Sequence, residues 1–228
     1  MAEEKLGKGE RTRRTLKSVA LRLFAERGLD NVSVRDIQLA AGQKNNGSIS
    51  YYFASRDALI RELVSDVGKA LDAANNDRLD RLEAAGGPRA VRDITDILLP
   101  ALPPPDEGRD REQTFMLRFF AAVTITRRDL LFEATDGQDR GTRRCFAWLR
   151  KLAPEMPPEI LQQRLMLMLL YSISAGASME AAAEAPEVWQ NLWGQRSARS
   201  NLADTMAGML LAPVSDETRA LAAGPKDA

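Results

Sequence analysis

The sequence predicts an all-α protein, with an N-terminal three-helix helix-turn-helix domain followed by a larger helical domain. Three observations carry this. Apolar residues recur at helical spacing along the chain, beginning with Leu16, Val19, Ala20, Leu23 and Phe24 on one face. Period-two alternation never persists beyond a few residues. Glycine, proline and N-cap residues punctuate the segments where helices stop and start.

Taken in order, the first helix ends at Gly28, a left-handed cap. Ser33 opens a second helix, three residues before Asp36, in a capping-box arrangement; Val34, Ile37 and Ala41 share its face, and Gly42 stops it. A third short helix spans about 47–53, with Ile49 and Phe53 turned to the core. Ser55 caps a fourth, which carries Leu59, Leu63 and Val67 inward and runs to about 82. After the break "AAGGP" (84–88), helices are expected near 88–102, 110–127, 137–152, 158–182 and 197–212. The loops "LPPPDEG" (102–108) and "APEMPP" (153–158) separate them, and Trp189 and Trp193 fall in a connecting segment. The expected division is a DNA-binding domain over 1–54, with 1–10 a flexible basic arm, a regulatory and dimerisation domain over 55–213, and a loose tail over 214–228.

Composition narrows the function. Net charge is zero, with 32 basic and 32 acidic residues. The distribution is uneven: within residues 5–17, Lys5, Lys8, Arg11, Arg13, Arg14 and Lys17 stand against the single acid Glu10. That pattern suits either an anionic partner met at one end or a solvated tail. The chain has no histidine and one cysteine, Cys145. Histidine-based metal sites and Ser-His-Asp or Cys-His catalysis are therefore excluded, as is an internal disulfide. No phosphate-binding or dinucleotide glycine motif is present, and an enzyme is not expected. The charged start is unlike a signal peptide, and the apolar run at 165–179 is short and serine-rich for a membrane span. A cytoplasmic location is expected, with no cofactor and no metal.

The stretch over about residues 12–64 resembles the N-terminal domain of tetracycline-repressor (TetR) family transcriptional regulators. The resemblance rests on "LFAERG" at the end of helix one, "SVRDI" at the start of helix two, "AAG" at the turn and "YYFASRDAL" into helix four. The segment "QKNNGS" is a residue longer than the usual family turn. In a helix-turn-helix, the N-terminal residues of the recognition helix meet base edges in the major groove. Asn45, Asn46, Ser48 and Ser50 are small enough to bond bases or phosphates there, and Gly47 allows close approach. Lys44 suits a phosphate, and Tyr51 and Tyr52 bring rings to the edge and hydroxyls to phosphate. The resemblance implies that Ser33 and Arg35 touch DNA and that Arg56 stands where the family has a phosphate-binding lysine. Local readings stand beside these: Ser33 as a cap, the asparagines as turn formers, Arg35 paired with Glu26 or Asp36, one tyrosine in the core.

The segment 158–182 is apolar around much of its circumference and needs cover on more than one side. The resemblance implies a homodimer through the helices near 158–182 and 197–212, reading a palindromic operator as a repressor. It also implies release by a small hydrophobic effector, for which Phe115, Met116, Phe119, Phe120, Phe146, Trp148, Met166, Leu170 and Tyr171 are the candidate lining. Such a stripe is more often the composition of a core than of a pocket wall. The alternative function is a helical architectural or protein-interaction module with non-specific DNA binding and no effector.

Overall fold

The computed structural model describes residues 7–42, 51–100 and 115–222. Among these, every regular element is a helix: α1 (Lys8–Arg27), α2 (Val34–Ala40), α3 (Arg56–Ala84), α4 (Val91–Leu98), α5 (Met116–Thr126), α6 (Arg128–Thr135), α7 (Arg140–Leu152), α8 (Pro158–Ala182), α9 (Pro186–Trp193), α10 (Ala198–Leu211) and α11 (Asp216–Ala222).

Local chemistry sets most helix ends. The Gly28 amide donates to the Phe24 carbonyl at 3.0 Å with φ at 81°, a conformation open to glycine. Ser55 Oγ accepts from the Ala58 amide at 3.0 Å and starts α3. At the start of α4, the Asp93 carboxylate accepts from the amides of Arg89 and Ala90. That helix stops at Leu98, short of the expected 102, because Pro100 holds Leu99 in extended backbone. Gly86 and Gly87, both at positive φ, turn the chain after α3.

Two buried clusters lie along the molecule. The first joins α1, α2 and the first half of α3 to Phe119, Phe120 and Val123 of α5 and to Leu130 of α6. The second gathers Leu79 at the far end of α3 with residues of α4, α7, α8 and α10. α3 therefore runs unbroken from one cluster to the other, and the core of the N-terminal unit extends into α5 and α6. α7 crosses α3 at Gly141, where a side chain would meet the Asp72 carbonyl at 2.8 Å. Gly176 of α8 similarly lies against Leu117 and Pro100. Cys145 is buried in the second cluster, and burial pushes its thiol up to about 12.

Several expectations are corrected. α1 begins at Lys8, so Lys8, Gly9 and Glu10 are helical where a flexible arm was expected. Residues 128–135 form a separate helix, α6, which buries only Leu130 and so gives little periodic signal. Trp189 and Trp193 sit in α9, not in a connector; Pro186 at its first turn is the local start signal. Residues 216–222 form α11, which buries nothing. α8 is long and apolar enough to cross a membrane by length and composition. One of its faces nevertheless packs in the second cluster, it carries the buried Glu180, and its Arg164 donates to the Leu210 carbonyl at 2.8 Å.

Candidate nucleic-acid interface

Three helices hold the N-terminal end. Ser33 Oγ accepts from the Asp36 amide at 3.2 Å, and the Ser33 amide donates to the Asp36 carboxylate at 2.8 Å. The capping box read from sequence is thus formed, and it fixes the entry of α2. The Ser33 hydroxyl also donates to the Asp36 carboxylate at 2.5 Å; this bond first, then the Ser33 amide, with Arg27 and Arg35 nearby, holds the Asp36 carboxyl below its ordinary range. A depressed folded pKa stabilises above the unfolded pKa and is lost as pH falls through the folded one. Acidification into the carboxylate range should therefore loosen the start of α2. Asp36→Asn is expected to flatten that part of the stability–pH curve, as read by helical circular dichroism; an unchanged curve would show that the box contributes nothing.

Ile37 is fully buried and Phe53 is 2% exposed, while Arg35 on α2 is exposed. Gly42, the expected stop of this helix, takes φ 65° after α2, a left-handed turn open to glycine. Lys44, Asn45, Asn46, Gly47, Ser48 and Ser50, and with them Ile49, lie outside the described residues. Tyr51 and Tyr52 are helical, and their rings meet edge to face at 4.9 Å. Tyr51 is 82% exposed. Tyr52 is half-buried against the first cluster, beside Gly9 of α1, and is the tyrosine that serves the core. Among the described residues, Leu39 on α2 is a further large apolar side chain that is exposed.

Arg56 differs most from its expected place. Its guanidinium donates from Nε to the Val32 carbonyl at 2.9 Å and from Nη2 to the Leu29 carbonyl. It also stacks on the Phe24 ring, 5.4 Å from the centroid. The first turn of α3 is thereby fastened to the loop between α1 and α2. The guanidinium is thus engaged internally at the position where the sequence suggested a phosphate contact. The Phe24 ring in turn meets Phe119 of α5, with centroids 6.1 Å apart. Two ion pairs reinforce the junction: Arg127 with Asp57 at 3.2 Å and Arg61 with Glu133 at 3.1 Å. Sequence spacing contained no signal for these contacts, since every partner lies far along the chain.

The nine residues expected to line an effector pocket do not come together. Phe119 and Phe120, with Phe115 and Met116 packed on them, belong to the first cluster. Phe146, Trp148 and Met166 belong to the second. Leu170 and Tyr171 face outward on α8, beside the exposed Leu167. Sequence reasoning also missed Glu180. This fully buried carboxylate accepts from the Leu117 amide at 3.0 Å and the Arg118 amide at 2.9 Å. It caps α5 from another helix, where the preceding Phe115 has no oxygen to do so.

Comparison with known proteins fits this geometry. The family model described as "Bacterial regulatory proteins, tetR family" matches residues 16–63. No curated protein matches the chain. Among solved structures, a transcriptional regulator from Rhodococcus sp. Rha1 is 22% identical, with a TM-score of 0.53, over 87% of this chain and 95% of that one. RolR in complex with resorcinol is 19% identical, with a TM-score of 0.46, over 97% of each. At 22% identity the likeness to the Rhodococcus protein speaks for the fold alone.

Proposed function

We propose that this chain, whose residues 16–63 match the model of the tetR family of bacterial regulatory proteins, binds a palindromic operator as a homodimer, represses transcription, and is released by a small molecule. The division is a DNA-binding unit over 1–54 and a regulatory and dimerisation unit over 55–213, in a cytoplasmic protein. The observation that carries this reading is the Ser33-capped α2, turned at Gly42, with Arg35 and Tyr51 exposed on either side of the turn. A helix held this rigidly, next to a polar segment rich in Asn and Ser, is the arrangement major-groove recognition needs.

Base reading falls to Asn45, Asn46, Ser48 and Ser50, with Lys44 on phosphate, Gly47 allowing approach, and Ser33, Arg35, Tyr51 and Tyr52 bordering them. Asn46→Ala or Ser50→Ala is expected to relax selectivity at one base pair by ~1–3 kcal/mol. Competition between operator variants checks this; equal loss on all sequences would remove these residues from base readout.

Dimerisation falls to α8 and α10. Leu167, Leu170 and Tyr171 form an exposed stripe at helical spacing on α8. On α10, Gly208 faces open space and Leu211 is 55% exposed. A two-fold axis through this face pairs like with like and places two DNA-binding ends for a palindrome. Light scattering over a dilution series should show a species of twice the 25.2 kDa chain mass, and Tyr171→Asp should shift it to monomer. Monomer throughout for the unaltered protein would refute the proposed assembly.

A further inference from the structure

A cleft of about 480 Å³ opens between α1, α3 and α5. That volume lies within the range of small-molecule sites. Its buried wall is apolar, made of Leu21, Leu63 and Val67 with the half-buried Met116. Its outer wall carries Arg13, Arg14 and Lys17, set against Glu10 and Asp66. The lining is thus apolar within and cationic in balance at the mouth.

Two of the three cations already hold carboxylates. Arg13 pairs with Glu62, and Lys17 pairs with Asp66 and with Glu62 at 3.5 Å. These carboxylates are a third to half exposed, and pairs of that kind are weak. An incoming acid can exchange with them at little net loss. Arg14 is exposed and makes no ion pair or hydrogen bond among the described residues. It is therefore available to a ligand without breaking anything.

We propose that this cleft binds an amphipathic organic anion, its apolar body against Leu21, Leu63, Val67 and Met116 and its acid group at Arg13, Arg14 and Lys17. Such a ligand bridges α1 and α3, which carry the DNA-binding end, to α5, whose Phe119 meets Phe24. The proposal gives the effector response a site and a ligand class, and it rests on the regulator reading only for its consequence on DNA.

The test is fluorescence titration of the full chain, without DNA, using 8-anilinonaphthalene-1-sulfonate as the probe. Saturable binding is expected, weakened about tenfold or more by Arg14→Glu and largely kept by Arg14→Lys. Arg14 takes no part in the core, so both variants should fold. No saturable binding, or equal affinity for the Arg14→Glu variant, would overturn the site. Saturable binding of the cationic dye rhodamine 6G, tightened by Arg14→Glu, would overturn the ligand class. Because no DNA is present, failure here leaves the regulator reading standing, and failure to find an operator leaves the cleft standing.

Discussion

Arg56→Ala should destabilise the protein by about 2–3 kcal/mol, read as a lower urea midpoint. The magnitude follows from what the guanidinium holds. Two charge-assisted hydrogen bonds, to Leu29 and Val32, satisfy carbonyls in the loop that leads to Ser33. Stacking on Phe24 adds a smaller share. Water partly replaces the lost donors, because the side chain is only half-buried. Arg56→Lys should recover little, since an ammonium cannot reproduce the planar fork. The result also decides between two roles. If Arg56→Ala left the urea midpoint unchanged while weakening binding to every sequence and lowering the salt slope by about one, the residue would be a phosphate contact. The clamp would then be incidental.

Glu180→Ala should cost more, about 3–5 kcal/mol, because it leaves the Leu117 and Arg118 amides without their acceptor where water cannot easily reach. It also opens a void beneath α5. Glu180→Gln keeps an acceptor oxygen and should lose less than half as much. The N-terminus of α5 gains further from a negative charge there, which Gln does not supply. α5 carries Phe119 against Phe24, so the alanine variant should also weaken DNA binding beyond its effect on stability. Unfolding in urea and DNA titration on the same preparation separate the two effects. An alanine variant as stable as the parent would mean that α5 is held by packing alone.

These two residues show where the sequence stopped being legible. Ser33, Ser55, Gly28 and Gly42 act on neighbours a few positions away, so their types and spacing announced the helix ends. The start of α8 follows from Pro158, and the apolar run over 165–171 lies within it. Arg56 and Glu180 act on partners 24 to 63 residues distant. Only the packing of α1 on α3, and of α5 on α8, brings those partners near. The aromatic residues misled for the same reason. Phe119 and Phe146 share a helical signature but fall in different clusters, because α3 separates the two cores along its length. The basic residues of α1 were visible as a charge run. Their place above an apolar cleft required α3 and α5 to be set in space.

Selection of random duplexes by the purified protein near physiological salt, followed by sequencing, tests the central claim most directly. The account predicts recovery of one palindrome, with half-sites about one helical turn or more apart and a preference of ~10³ or more over bulk DNA. Enrichment of no sequence by a folded, dimeric protein, with binding that varies only with salt, would contradict it and favour an architectural role.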